Sequence, residues 1–388
     1  MTPSDRAMAL IREGIAAAEP GAAVARAMAE VLADPPGQGG RWQVIAVGKA
    51  ARAMAAAALQ ALPDATALVV TNAGNDAPLD GAVVLRAGHP SLMPGAAAAD
   101  EVIRRLSDAG PQDRVLALIS GGGSAMLPAP AEGMSLADKQ AVNRLLLASG
   151  ADISQVNLIR QGLSRLKGGG WLRLSRAPVT ALILSDVPGD DLRVIASGPT
   201  VAPVGSRGQA VTLAQDLGIW DQMPKAAQDA LRRPEDRCAL PQARNILVGS
   251  NALSVAAMVG AGADPAPIPL KGDVQDCAEA IWALAADLCP GQALAFGGET
   301  TVRLIGDGMG GRNQELALRV ALLAEARPVP FDWAFASVGS DGRDGPGEAA
   351  GGLVVPGTPR AIRAGGIDPV AALARNDRPR PWRQAMRW

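Results

Sequence analysis

The sequence predicts an α/β protein made of two α/β domains, with largely parallel sheets and flanking helices. Three observations lead there. Short apolar runs such as Trp42–Val47, Val115–Ser120 and Val179–Ser185 alternate with longer stretches of helical periodicity. Polar, glycine-rich clusters follow these runs one after another, as loops do when they leave the carboxyl ends of parallel strands. Finally, 388 residues with 48% apolar content supply core enough for two domains. These are read as 1–235 and 243–388, with the Arg-, Pro- and Asp-rich stretch Arg232–Gln242 as the seam.

Thr2-Pro3 opens a first helix with a cap followed by proline in the first turn. A second helix runs from Pro20 to Leu32 and stops at Asp34-Pro35-Pro36-Gly37. Strand Trp42–Val47 leads through Gly48-Lys49 into an Ala-rich helix to Leu62, then come strands Ala67–Thr71 and Val83–Ala87. A helix over Gly95–Ala109 precedes strand Val115–Ser120. Ser135-x-x-Asp138 resembles a capping box with Asp in place of Glu, opening a helix that ends near Gly150. Ile153–Leu166 is read as one helix, Val179–Ser185 as a strand and Asp186–Thr200 as a long polar loop. Strands at Ile246–Gly249, Ala293–Gly297, Thr300–Ile305 and Trp333–Gly339 follow, with helices over Ala252–Gly260, Val274–Leu288 and from Asn313.

Composition removes several function classes. A net charge of -1 carries no nucleic-acid footprint. No apolar run reaches the length of a membrane span, and Met1–Glu13 is charged too early for a signal peptide. Cys238, Cys277 and Cys289 have no metal spacing and read as reduced thiols of a cytoplasmic protein. One histidine, His89, and no tyrosine exclude a His-rich metal site and a tyrosine-based reductase site.

The remaining candidates cluster at strand ends. Ser120-Gly121-Gly122-Gly123-Ser124 places consecutive backbone N–H groups where an anion could sit. Without a following Lys-Ser/Thr it is not a Walker A loop. Lys49 begins a helix, where its charge opposes the helix dipole, a placement that makes sense opposite an anion. Asp186, Asp190 and Asp191 gather carboxylates in a loop suited to Mg2+ shared with phosphate oxygens. Asp341 and Asp344 form a similar group that lacks the twelve-residue calcium pattern. His89 is the sole imidazole available as a general base or proton donor, or else a turn-stabilising group. Arg312, after Gly311, could clamp a carboxylate or a transferring phosphoryl group. Gly306-x-Gly308-x-x-Gly311 also fits a dinucleotide fingerprint, with Asp332 as the ribose acid.

Taken together, Gly48-Lys49-Ala50-Ala51, Gly88-His89-Pro90, Ile119-Ser-Gly-Gly-Gly-Ser124-Ala, Leu163-Ser-Arg-Leu-Lys167-Gly-Gly, Leu184-Ser-Asp186-Val-Pro-Gly-Asp190, Ala196-Ser197-Gly198-Pro199-Thr200, Gly298-Glu299-Thr300-Thr301-Val, Gly310-Gly311-Arg312-Asn313-Gln314-Glu315 and Gly339-Ser-Asp341-Gly-x-Asp344-Gly-Pro resemble the class II glycerate 2-kinases. That family carries a C-terminal module called MOFRL, and its members were often labelled hydroxypyruvate reductases. The resemblance implies ATP-dependent phosphorylation of D-glycerate to 2-phosphoglycerate with a divalent metal, Mg2+, by two α/β domains with the active site in the cleft between them. It implies that Lys49 and Arg312 are the main catalytic positions, with Asp186 and Asp190 as an acidic loop. It further implies that Ser120–Ser124 and Asn251 line the substrate and nucleotide site, to which His89, Glu299 and Gly311 are added as binding candidates; Asp186 or Asp190 would orient the 2-hydroxyl or bind Mg2+, with Asp341 as a further metal candidate. The implied protein is a cytoplasmic monomer or homodimer acting on a small molecule, with no nucleic-acid or membrane partner.

Two departures bear on this reading. Thr71-Asn72-Ala73-Gly74-Asn75-Asp76 stands where the family usually has an Arg-aromatic-Gly-His segment. The stretch Arg378–Trp388 stands where the family continues with a strand and a Thr-Gly-Pro-Thr-Gly-Thr-Asn loop, which leads to an expectation of a less stable C-terminal domain and weak or absent activity. The rival readings are an NAD(P)H-dependent hydroxypyruvate reductase and a non-catalytic remnant that binds a small acid or nucleotide.

Overall fold

The fold was analysed on a computed structural model that describes residues 1–88, 93–235, 238–306, 308–347 and 349–377. His89 and the tail segment Arg378–Trp388 lie outside the described residues. In chain order the helices are α1 (Pro3–Ala17), α2 (Pro20–Leu32), α3 (Ala51–Ala61), α4 (Met93–Asp108), α5 (Gly123–Met126), α6 (Leu136–Ala148), α7 (Ile153–Gly162), α8 (Gly170–Leu174), α9 (Arg207–Asp216), α10 (Lys225–Arg232), α11 (Asn251–Gly260), α12 (Val274–Ala286), α13 (Arg312–Ala326), α14 (Thr358–Ala364) and α15 (Pro369–Ala374). The strands are β1 (Trp42–Val47), β2 (Thr66–Thr71), β3 (Ala82–Arg86), β4 (Arg114–Ile119), β5 (Val179–Leu184), β6 (Arg244–Gly249), β7 (Asp264–Pro265), β8 (Leu270–Asp273), β9 (Leu294–Ala295), β10 (Gly298–Thr301), β11 (Phe335–Val338) and β12 (Gly351–Val354). The chain divides into two compact units, one of Glu19–Ser250 and the other of Met1–Ala18 together with the chain from Asn251 on.

The Glu19–Ser250 unit is built on a parallel sheet of order β3-β2-β1-β4-β5-β6. Both faces of the central strands are buried, which is why they read as continuous apolar runs. Alternate side chains go to opposite faces. Val44, Ala46, Val69, Leu116 and Leu118 pack with Met28 and Val31 of α2 and Met54 of α3. Ile45, Val47, Leu68, Val70 and Ile119 pack with Val102 and Leu106 of α4 and Trp171 of α8. A third cluster, including Leu146, Ile159 and Trp220, joins α6, α7 and α9. Because β6 hydrogen-bonds to β5 in this sheet, the unit runs to Ser250, beyond the composition seam at Arg232–Gln242.

In the other unit α1 packs on α11, with Gly14 against Met258 and Leu10 beside Ala263 and Ala295. The Thr2–Asp5 capping box forms in both directions, Asp5 N–H to Thr2 Oγ1 at 3.2 Å and Thr2 N–H to Asp5 Oδ2 at 3.1 Å. Helices α12 and α13 pack through Ile281, Trp282, Leu316 and Val320. Strand pairs β8/β10 and β7/β9 are parallel, and β11/β12 is antiparallel. Among the described residues no helix is long and apolar enough to cross a membrane.

Three sequence expectations are corrected and one strand is added. The helix expected over Ile153–Leu166 ends at Gly162, because Arg165 is drawn off to donate through its N–H and Nε to the carbonyls of Ala129 and Pro130. The strand expected over Thr300–Ile305 is only Gly298–Thr301, and that expected over Ala293–Gly297 is only Leu294–Ala295. Strand β12, opened by two glycines of weak strand preference, was not anticipated and is fixed by its pairing with β11. The Ser135–Asp138 capping box forms as expected.

Candidate functional site

In the Glu19–Ser250 unit the candidate residues sit at the carboxyl ends of three adjacent strands, β1, β4 and β5. Gly48 and Ser120 come together first. Ser120 is buried, accepts the Ala50 N–H at 3.1 Å and donates to the Val47 carbonyl at 3.3 Å, so its hydroxyl ties two loops together. The Lys49 N–H donates to the Gly121 carbonyl at 2.9 Å. A Cβ on Gly48 would collide with Ser120, which explains the glycine. Gly122 takes φ 81, the left-handed turn that feeds α5.

This stitching presents two exposed charged side chains around one glycine pair. The aliphatic stem of Lys49 lies against Gly122, and a Cβ on Gly121 would run into the Asp186 carboxylate. Helix α3 begins at Ala51 without a side-chain cap, and its amino end follows directly on Gly48 and Lys49 beside the glycine loop. Gly123 is buried against Val47 and Ala196, and Ser124 is half-buried. The three acids of the Asp186 loop separate. Asp191 is engaged by Arg193, whose guanidinium holds its carboxyl below the usual range. Asp190 adopts φ 53 in a turn closed by its N–H on the Val187 carbonyl at 3.1 Å. Asp186 is the acid that reaches the glycine loop.

In the other unit Arg312 opens α13 and pairs with Glu299 on β10, so two of the expected residues meet. Both are about half exposed. Gly311 is the N-cap of α13 and has no side chain to cap with. Asp344 supplies that cap from a distant loop. Its buried carboxylate accepts the Asn313 N–H at 3.0 Å and the Gln314 N–H at 2.8 Å. Asp344 is therefore a structural acid, not the ligand candidate its motif suggested, while Asp341 is exposed and accepts the Arg343 N–H at 3.2 Å. Asn251 is the first residue of α11, with its amide against Gly297. Among the described residues no three His, Cys, Asp or Glu side chains converge as a protein-only metal cage.

The glycine fingerprint at Gly306–Gly311 has a different cause from the one its spacing suggests. Its glycines let the loop pack on other backbone. Cβ atoms on Gly306 and Gly308 would meet Arg375 and Asn376, and one on Gly311 would meet Asp344. Asn376 is the clamp the sequence reading missed. Its Oδ1 accepts the Ile305 and Gly306 N–H groups at 2.7 and 3.2 Å, and its Nδ2 donates to the Arg303 carbonyl at 3.1 Å. The Gly310 N–H donates to the Asn376 carbonyl at 3.0 Å. Asn376→Ala should cost about 1–3 kcal/mol by orphaning these groups. Limited proteolysis should then cut faster within residues 302–306, and unchanged cleavage would refute the clamp.

The order β3-β2-β1-β4-β5-β6 is that of dinucleotide-binding sheets, in which the fingerprint follows β1. Here β1 is followed by Gly48-Lys49-Ala50-Ala51, and the fingerprint follows β10 of a two-stranded sheet.

Comparison with known proteins gives consistent results. Residues 6–232 match the model described as domain of unknown function DUF4147, and residues 292–387 match the MOFRL family. The chain is 40% identical over 362 residues to a protein of Agrobacterium vitis named putative hydroxypyruvate reductase, covering 87% of this chain and 92% of that protein. It is 36% identical over 361 residues to the glycerate 2-kinase of Pyrococcus horikoshii, covering 85% and 79%. The crystal structure of glycerate kinase from Thermotoga maritima superposes with a TM-score of 0.86 at 32% identity, covering 96% of this chain and 92% of that one.

Proposed function

We propose a function from one premise, that this chain belongs to the class II glycerate 2-kinase family. It transfers the γ-phosphoryl group of ATP to the 2-hydroxyl of D-glycerate, giving 2-phosphoglycerate. The observation that carries this reading is the strand-end cluster in which exposed Lys49 and Asp186 flank Gly121 and Gly122.

Phosphoryl transfer asks a protein mainly for positioning and charge neutralisation. Lys49 offers a mobile cation beside backbone donors, which suits phosphate oxygens. Arg312 offers a planar fork that suits a carboxylate or the transferring group, once it exchanges Glu299 for the substrate. Asp186 is placed to orient the accepting hydroxyl and draw on its proton. Asp186, exposed beside the glycine loop, would hold Mg2+, which takes one or two carboxylates together with phosphate oxygens and water. When bound, Mg2+ supplies charge neutralisation on the phosphates.

Incubation with D-glycerate, ATP and Mg2+, with the product resolved by NMR, should show 2-phosphoglycerate and ADP. A product phosphorylated at the 3-position, or none, would overturn the proposal. NADH with hydroxypyruvate should show no loss of cofactor absorbance, because the glycines of the fingerprint are filled by residues 375–377 and Asp344.

A further inference from the structure

Behind the glycine loop lie two motifs that the kinase reading leaves without a task, Leu163–Gly169 and Ala196–Thr200. They bring Lys167 and Ser197 against Ser124. The Ser124 and Ser197 hydroxyls are 2.9 Å apart. Lys167 Nζ contacts the Ser124 hydroxyl, donates to the Ser124 carbonyl at 3.0 Å and reaches Ser197 Oγ at 3.4 Å. The Ser197 hydroxyl donates to Asn157 Oδ1 at 3.1 Å. With its one proton committed there, Ser197 can only accept from its other neighbours.

We propose that Ser124 is a nucleophile toward electrophilic phosphorus centres, with Lys167 as its base and Ser197 as the hydroxyl that holds the pair in register.

The charge environment fits a lysine that accepts a proton. Lys167 is 6% exposed, and its Nζ meets two hydroxyls and a carbonyl among the described residues. Burial pushes its amine well below the usual lysine range, and the charges of Lys139 and Arg160 push it the same way. Lys139 Nζ is itself buried with no hydrogen-bond partner and is lowered to about 8 by burial and then by Arg160, although its stem is half exposed. A neutral amine that donates to the Ser124 carbonyl keeps a lone pair, and the Ser124 hydroxyl proton, held at rest by Ser197 Oγ, reaches it by turning from Ser197 to Lys167 Nζ. A lysine so desolvated beside a serine is one of the known ways of activating that hydroxyl.

The backbone is built to hold this arrangement. Ala196 and Ser197 take φ 48 and 61, consecutive left-handed conformations for residues that carry a Cβ. They are held there by the Gly168 N–H on the Ser197 carbonyl at 3.0 Å, the Gly169 N–H on the Gly198 carbonyl at 2.8 Å and Gln161 Nε2 on the Ser197 carbonyl at 3.1 Å. A small cavity of about 10 Å³, room for one water, is lined by Ser124, Lys167, Leu127, Trp171 and Pro199.

In the reaction, Ser124 Oγ forms a bond to phosphorus as the bond from phosphorus to its leaving group breaks. The hydroxyl proton passes to Lys167 Nζ and then to the departing group. The reactivity does not depend on the kinase proposal, since it requires neither D-glycerate nor a nucleotide.

The test is labelling of the full chain with a fluorophosphonate probe, whose departing group is fluoride, followed by peptide mass spectrometry. The expected result is an adduct on Ser124, absent in Ser124→Ala and formed at least tenfold more slowly in Lys167→Arg. That variant keeps the charge and the donors but cannot take the proton. Ser197→Ala should slow labelling as well. Circular dichroism verifies that each variant is folded. No adduct on Ser124 in the unmodified protein, or wild-type labelling rates in folded Lys167→Arg, would overturn the proposal. Should a variant fail to fold, the position of the adduct in the unmodified protein decides alone.

Discussion

Lys49→Ala is expected to lower glycerate 2-kinase turnover by about a thousandfold, the scale on which transition-state cations act in phosphoryl transfer. The side chain is exposed and its stem lies against the neighbouring glycine turn, outside the buried core, so the fold should survive. The loss should therefore appear in kcat at unchanged thermal stability. Arg312→Ala should give a loss of similar size. It also leaves Glu299 without its cation, so Arg312→Lys is the informative companion. Lysine keeps the charge but not the planar fork, and should recover only part of the rate. Turnover within threefold of wild type in both alanine variants would show that neither residue acts on the transferring group.

Asp344→Ala is expected to destabilise the unit that contains α13 by about 3 kcal/mol, the largest stability effect among the candidate residues. The Asp344 carboxylate accepts from the Asn313 and Gln314 N–H groups and from the amides of both side chains, Asn313 Nδ2 at 3.0 Å and Gln314 Nε2 at 3.1 Å. Alanine would orphan the first turn of a helix whose N-cap is glycine and whose core face carries Leu316, Ala317 and Val320. Urea unfolding followed by tryptophan fluorescence should report the loss through Trp282 and Trp333, which stack edge-on at 5.1 Å on that core. Asp344→Asn should lose less, since its carbonyl oxygen still accepts. A wild-type unfolding midpoint in Asp344→Ala would mean that the helix start is satisfied some other way.

The central sheet was legible because its strands are buried on both faces. Burial on both sides imposes unbroken apolar runs such as Val44–Val47 and Leu116–Ile119, and such runs end where the loops must turn polar. Thus β1, β2, β4 and β5 lie within a residue of where the sequence put them. The local caps at Thr2 and Ser135 were legible too, because they act over three residues. The small strands were not. Thr300–Ile305 has the composition of a strand, yet residues beyond Thr301 give their N–H groups to Asn376 instead of a neighbouring strand. Composition cannot express a partner so far along the chain.

Sequence alone determined the α/β class, the strand-end loops and the residue types of the candidate chemistry, since these depend on local periodicity and on side chains that are present or absent. Tertiary structure decided what each polar group is for. It turned Asp344 from a ligand candidate into a helix cap and the Gly306–Gly311 fingerprint into a backbone-packing surface. It set Asp186 apart from Asp190 and Asp191, and it brought Lys167 and Ser197 to Ser124. The physical reason is common to all of these. A hydrogen-bonding group does what its nearest partner dictates, and for these groups those partners lie tens of residues away.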